Sequence, residues 1–186
     1  KKFWDYTCAA YYRLRKAIGI NPWDRFFQIQ FWGPMPSPQD TNENSSGIKH
    51  RSRWEASLGP LYSLFKGSQK TASITYGADE ISSRIIAFQP RVLSGNPTYL
   101  RLIAETITDK GIKNLHPKLL RCSGEVLDES TRKFLESSFG CDVLESYWAN
   151  EIGSIAWECK KREGQHINAD LLILEIIRDG EPVAPG

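Results

Sequence analysis

The hydrophobic pattern of the chain changes its period several times. Phe3, Thr7, Tyr11, Leu14 and Ile18 recur at three- and four-residue spacing, which predicts an amphipathic helix over 2–18 stopped by Gly19. "DRFFQIQFW" (24–32) is an apolar strand, and "GPMPSPQDTNENSSG" (33–47) is a loop rich in turn formers. From Lys70 the alternation becomes regular. "KTASITY" predicts a strand, and "ADEISSRIIAF" a helix with Ile81, Ile85 and Phe88 on one face. "RVLSG" is a short strand. Asn96 then caps a helix with Pro97 at its first position and Leu100, Ile103, Ala104 and Ile107 as its buried stripe, ending at Gly111. "KLLRCS" is the next strand. Asp128 caps a helix that turns Leu127, Thr131, Phe134 and Leu135 inward, with Gly140 past its end, and "DVLESY" closes the series. Helix-length crossovers between short apolar strands predict an α/β fold, a parallel sheet with helices on both faces. After Gly153 the helices stop. "SIAWEC", the turn "KKREGQ" and "HINADLLILEIIRDGEPVAPG" predict antiparallel strands joined by turns. The expected division is an α/β subdomain over 1–153 and an antiparallel region over 154–186.

Composition leaves this picture in place. The chain has 186 residues, 40% apolar and 25% charged, which is ordinary for a globular protein with a sizeable core. A formal net charge of +2 calls for neither nucleic acid nor an acidic membrane as partner. The charge is uneven: residues 1–66 hold 10 Lys/Arg against 5 Asp/Glu, and the remainder holds 14 against 17. The basic front could attract phosphates or form a solvated surface. No apolar run approaches the roughly 18 residues of a membrane span, and no signal peptide is recognised. Cys8, Cys122, Cys141 and Cys159 are scattered without a CxxC pair, which favours reduced thiols and a cytoplasmic setting over a disulfide framework.

Candidate chemistry gathers at two places. In open parallel sheets ligands sit at the carboxyl ends of the strands. Ser123, Gly124 and Glu125 follow "KLLRC", and the loop expected from Glu145 to Glu151 ("ESYWANE") follows "DVL". If those strands are neighbours, the two loops face one cleft. Gly124 lets the backbone approach a flat ligand, and Tyr147 supplies an aromatic wall. Glu151 is a hard oxygen ligand suited to Mg²⁺, and Asn150 can donate to a phosphate oxygen. The same residues also fit a polar turn in which Tyr147 and Trp148 merely cap the core. Gly95, at a strand end, could border a substrate pocket. Cys159 and His166 flank the turn "KKREGQ" and form a candidate Zn²⁺ pair, or else a buried thiol and a hydrogen-bonded imidazole. His50 and His116 are read as surface or structural residues. The Ser/Asn tract of 33–47 lacks the Lys-Ser/Thr of a phosphate loop, and no G-x-S-x-G elbow occurs.

The run "KLLRCSGEVLDESTRKFLESSFGCDVLESYWANEIGSIAWEC", with "GQHINADLLILEI" and "DGEPVAPG", resembles the phenylacetate–CoA ligase branch of the adenylate-forming (AMP-binding) superfamily. That branch includes ligase-like proteins of capsular polysaccharide synthesis. The similarity spans about Arg91 to Gly186. It implies ATP-dependent conversion of a carboxylic acid to an acyl-adenylate, with Mg²⁺, followed by transfer to coenzyme A. Carried over, Ser123, Gly124 and Glu125 line the adenine, and Glu145, Ser146 and Tyr147 form its opposite wall. Asn150 and Glu151 take catalytic positions, with Glu151 as the magnesium ligand. Trp148, Ala149, Gly153 and Gly95 border the acyl pocket. Two positions depart from the family's Tyr-Gly-x-Ser/Thr-Glu motif: Trp148 stands in place of glycine, and Asn150 in place of the hydroxyl residue. Trp148 narrows the pocket, so the acid need not be phenylacetate. The family's phosphate loop is expected before Lys1, and its hinge and catalytic-lysine domain after Gly186. The resemblance leaves two further readings open: an acyl-activating protein of polysaccharide assembly with another acceptor, and a non-catalytic nucleotide-binding module.

Overall fold

The computed structural model describes residues 2–30, 69–149 and 151–183. The loop expected over 33–47, the end of the strand expected at 24–32, His50 and Asn150 lie outside the described residues. Within them the elements follow in the order α1 (Lys2–Ala17), β1 (Phe26–Gln30), β2 (Gln69–Ser73), a 3-10 turn (Ile74–Tyr76), α2 (Gly77–Phe88) and β3 (Val92–Gly95). Then come α3 (Pro97–Asp109), β4 (Leu119–Cys122), α4 (Glu129–Phe139), β5 (Asp142–Ala149), β6 (Gly153–Glu158) and β7 (Gln165–Ile167). A separate two-stranded ribbon, β8 (Ile177–Arg178) and β9 (Glu181–Pro182), ends the described chain.

β1 to β7 form one sheet in the order β2-β1-β3-β4-β5-β6-β7. The pairings from β2 to β5 are parallel, and those of β5 with β6 and β6 with β7 are antiparallel. The three crossovers through α2, α3 and α4 all step the same way across the sheet. Right-handed crossovers then place their helices on one face. There Ile81, Ile85 and Phe88 of α2, Leu100, Ile103, Ala104 and Ile107 of α3, and Leu135 and Phe139 of α4 pack on Phe27, Leu93, Leu120 and Val143. The other face receives α1 and the turn after it: Leu14, Ile18 and Ile20 meet Phe26, Val92, Leu119, Leu144 and Trp157. Phe26 and Phe27, Val92 and Leu93, Leu119 and Leu120 thus serve opposite layers from adjacent positions. Side chains alternate along a strand, so a sheet covered twice needs continuous apolar runs.

The caps form where the spacing places them. Asn96 Oδ1 accepts from Tyr99 N at 3.2 Å, with Pro97 opening α3. Asp128 accepts from Thr131 N at 2.9 Å, and Gly140 closes α4 in the left-handed region. The hydroxyls of Ser130 and Thr131 also donate to Asp128, which holds its carboxyl well below the usual carboxylate range.

Three segments differ from expectation. The strand "KTASITY" stops at Ser73, because the Ser73 hydroxyl accepts from Thr75 N (3.3 Å) and Thr75 Oγ1 (3.0 Å) and curls the chain into a 3-10 turn. The loop expected up to Glu151 is shorter: "DVLESY" is strand as expected, and β5 runs on through Trp148 and Ala149, paired to β6 from Ser146. β6 continues the same sheet. "HINADLLILEII" (166–177) is strand only at His166 and Ile167, the end of β7, and at Ile177, the start of β8. Asn168 is buried, donating Nδ2 to Ser154 O (2.9 Å) and accepting from Arg13 (2.8 Å), and its carbonyl accepts from Leu171 N (2.9 Å). That turn ends the pairing, and Ile173, Ile176 and Ile177 are exposed.

Arg132 and Glu158 form an ionic contact inside this frame. Arg132 of α4 donates Nη1 to Glu158 Oε2 (2.8 Å) and to Val143 O (2.6 Å), and Nη2 to Glu158 Oε1 (3.2 Å); each side chain of the pair is 10% exposed. Glu158→Ala leaves this buried guanidinium with only the exposed Glu129 carboxylate, at 3.8 Å from Nε, as an ion-pair partner. A loss of about 3–5 kcal/mol is expected, read as a lower urea midpoint, and replacing Arg132 by Met together with Glu158 by Leu should recover most of it. An unchanged midpoint in the single variant would refute the contribution of the pair.

Candidate functional site

The carboxyl ends of β3, β4 and the parallel half of β5 lie side by side. Gly95 is in register with Cys122, and Cys122 with Glu145. Register alone brings together three of the stretches singled out in the sequence, because parallel neighbours present their carboxyl ends on one edge. Ser123 N donates to Gly95 O at 3.1 Å, and Ser146 Oγ donates to Cys122 O at 3.3 Å. The Ser123–Glu125 turn is therefore bonded to the end of β3, and the β4 residue that precedes it is bonded to β5. Gly124 turns the chain with φ at +88°, and the space its missing Cβ would occupy is open. A side chain there would be strained by the backbone rather than by crowding. Gly95 has the opposite constraint: a Cβ would stand 3.3 Å from Ile29 Cβ and 3.3 Å from Leu100 Cγ.

The acidic residues of this edge bind backbone. Glu145 Oε1 accepts from Leu127 N (3.1 Å) and Oε2 from Gln165 Nε2 (3.1 Å). Glu125 accepts from Asn96 Nδ2, Thr98 N (3.2 Å) and Thr98 Oγ1 (2.6 Å), all at the start of α3. Ser146 is buried. Tyr147 and Trp148 follow one another across a register shift between β5 and β6, and both stay exposed, at 56% and 38%. Regular alternation would turn one of them away from the other's face, and a bulge disturbs that alternation. Ala149 is half-buried; Ile152 N donates to Ala149 O (3.3 Å) to close the hairpin, and Gly153 follows with φ at +87°. Glu151 lies exposed in that turn, and among the described residues no donor is bonded to its carboxylate. Asn150 lies outside the described residues.

The structure thus brings Gly95, Ser123, Gly124, Glu125, Glu145 and Ser146 together on one edge. Tyr147, Trp148, Ala149, Glu151 and Gly153 run on from it along one hairpin. Cys159 and His166 are placed elsewhere: the His166 ring stacks on Trp157 (centroids 4.5 Å apart, 29° between planes), and Cys159 packs against the core layer beneath α1. Among the described residues no group of three or more His, Cys, Asp and Glu could hold a metal ion, so the Cys159–His166 pair gathers no further donors for Zn²⁺. The described cysteines Cys122, Cys141 and Cys159 are free thiols. Burial pushes the Cys122 thiol up to about 12, which removes it as a nucleophile at neutral pH.

The residue that sequence reasoning missed is Arg132. It binds Glu158, whose Oε2 also accepts from Glu145 N at 3.0 Å. A signal was present: 132, 135 and 139 share the inward spacing of α4, so an arginine there needs a buried acceptor.

No protein-family model and no curated protein matches the chain. Solved structures do. A 2-hydroxyisobutyryl-CoA ligase in complex with 2-HIB-AMP and CoA superposes with a TM-score of 0.63 at 16% identity, over 87% of this chain and 36% of its own. An anthranilate CoA ligase in complex with anthranoyl-AMP gives 0.64 at 16% identity, over 98% of this chain and 33% of its own. An acyl-CoA synthetase from Brucella canis gives 0.58 at 16% identity, over 97% and 32%. The likeness is one of fold: a mostly parallel sheet with helices and added antiparallel strands, as in those ligases. The chain spans about a third of the length of the structures it matches. No helix among the described residues is long and apolar enough to cross a membrane.

Two outcomes follow from this geometry. Gly95→Ala should cost about 1–3 kcal/mol by overpacking against Ile29 and Leu100, measured by denaturant unfolding; a neutral effect would show that the strand end yields. Iodoacetamide at pH 8 should leave Cys122 unmodified in the folded chain and modify it after unfolding, as mass spectrometry would show. Rapid native labelling would contradict the burial of β4.

Proposed function

We propose that this chain forms the nucleotide-facing part of an adenylate-forming acid–thiol ligase of the phenylacetate–CoA ligase type. The observation that carries the reading is the juxtaposition of the Ser123–Glu125 turn with Glu145 and Ser146 of the adjacent parallel strand, whose side chains bond Leu127 and Cys122 on either side of that turn. The fold likeness to ligases solved with acyl-AMP ligands supports it. In this reading the open backbone at Gly124 admits the flat face of an adenine, and exposed Tyr147 covers the other side. Ser123, Glu125, Glu145 and Ser146 shape that slot. Glu145 and Ser146 do so through the side-chain hydrogen bonds that hold its walls, and Glu125 through its backbone. Trp148, Ala149, Gly153 and Gly95 border the acid, with Trp148 limiting its size. Asn150 would donate to a phosphate oxygen.

The reaction joins a carboxylate oxygen of the acid to the α-phosphorus of ATP and breaks the bond to pyrophosphate. A thiol, that of coenzyme A, then attacks the acyl carbon and AMP leaves. Both steps crowd negative charge, so positioned donors matter more than a protein nucleophile. The donor set fits a magnesium ion: Glu151 offers an exposed carboxylate with no partner among the described residues, and Mg²⁺ takes one or two carboxylates alongside substrate phosphates. When bound, the ion neutralises phosphate charge. A cytoplasmic setting suits these substrates. An acceptor other than coenzyme A, in polysaccharide assembly, is the variant of this reading that a screen of acceptors separates.

ATP–pyrophosphate exchange by the full protein with a panel of carboxylic acids tests the activity; no exchange with any acid leaves a nucleotide-binding module instead. Glu151→Gln should lower exchange by roughly 10² or more at ordinary magnesium, since a lost metal ligand is worth a few kcal/mol in the transition state. Its melting temperature should stay at the wild-type value. Full exchange in this variant would end the magnesium role of Glu151.

A further inference from the structure

Glu125 has both oxygens turned away from the turn that carries it. Oε1 accepts from the side-chain amide of Asn96, and Oε2 accepts from Thr98 N (3.2 Å) and Thr98 Oγ1 (2.6 Å). The first N–H groups of a helix have no acceptor within it, so the Thr98 amide depends on Glu125. A carboxylate at this end of α3 is also favoured by the helix dipole, and its bonds are charge-assisted. Asn96 is occupied twice, since its Oδ1 caps α3 at Tyr99 N (3.2 Å). The backbone adds a second tie between the same two turns, from Ser123 N to Gly95 O (3.1 Å). Gly95 itself has no slack, with Ile29 and Leu100 at 3.3 Å from where a Cβ would stand. The turn after β3 and the turn after β4 are therefore held as one piece, and Glu125 is its side-chain strut.

We propose that Glu125 is a positioning residue that locks the Gly95–Thr98 turn to the Ser123–Glu125 turn, so that the acid side of the cleft is shaped through the nucleotide side. This rests on the functional reading above, in which those turns face the acid and the adenine. Glu125 acts through Asn96 and Thr98 and does not contact the nucleotide. Two sites joined by one strut are coupled, and such couplings commonly amount to about fivefold or more in affinity.

The test uses the full protein and the variants Glu125→Gln, Thr98→Val and both together. Glu125→Gln puts a donor where three donors already converge. In ATP–pyrophosphate exchange it should raise KM for the acid by about fivefold or more while KM for ATP stays within about twofold. Thr98→Val should reproduce that split, and the double variant should be no worse than the more impaired single one, because both remove the same strut. A rise in KM for ATP in Glu125→Gln that Thr98→Val does not share would mean that Glu125 touches the nucleotide, and would overturn the proposal, as would additive effects. Amide hydrogen exchange at Thr98 judges the strut without any activity. Glu125→Gln should speed it by about tenfold or more, and an unchanged rate overturns the proposal. Absence of exchange activity in the wild type would remove the functional reading alone, and the Thr98 amide would still decide for or against the strut.

Discussion

The arrangement of the sheet's carboxyl edge depends on one buried carboxylate, that of Glu158. β5 changes partners midway: Asp142 to Glu145 pair with β4 in parallel, and Ser146 to Ala149 pair with β6 in antiparallel fashion. At that junction the Glu145 N–H donates to Glu158 Oε2 at 3.0 Å instead of to a strand carbonyl. Buried backbone donors must be paired, and a side chain supplies what the ladder leaves open. A buried carboxylate in turn needs a counter-charge, and Arg132 brings α4 to it. Three elements meet at this point, and the hairpin that carries Tyr147 and Glu151 springs from it.

The polar residues of the carboxyl edge form a chain of struts built on that anchor. Glu158 takes the backbone of Glu145, Glu145 takes the backbone of Leu127, and Glu125 takes the start of α3. Each carboxylate satisfies donors on the next element over. A segment that looks overfurnished with ligand groups thus serves mainly to align strands and turns. What this edge leaves exposed is the glycine backbone at 124, the two aromatics and the carboxylate of Glu151, which no donor among the described residues bonds. In the proposed function these few groups would face the substrates, and the many others would hold them in place.

Helices and caps were legible in the sequence because their physics is local. Asn96 with Pro97 and Asp128 with Gly140 mark helix ends through contacts within four residues. The stripes Ile81–Ile85–Phe88 and Leu100–Ile103–Ile107 state which side is buried without stating against what. Paired apolar positions such as Val92 and Leu93 announced a sheet covered on both faces. Two failures came where a distant partner overrode a local pattern. "LLILEII" has the composition of a buried strand, yet the Asn168 turn, held by Arg13 and Ser154, keeps it out of the main sheet, and only its last residues meet β9. The strand "DVLESY" runs on through Trp148 and Ala149 because β6 pairs with it.

Sequence by itself determined the succession of strands and helices, their caps, and the two stretches at strand ends where chemistry is concentrated, since each rests on contacts a few residues long. Only the tertiary structure decided that β4 and β5 are neighbours, that Cys122 stands level with Gly95 and Glu145, and that Arg132 is a buried cation. It also decided that Glu125 faces α3 rather than the open side of its own turn. The reason is that strand neighbours and buried ion pairs are set by long-range contacts: a carboxylate takes whichever unpaired donors the fold delivers to it, and for Glu125 one of those donors lies 29 positions away along the chain.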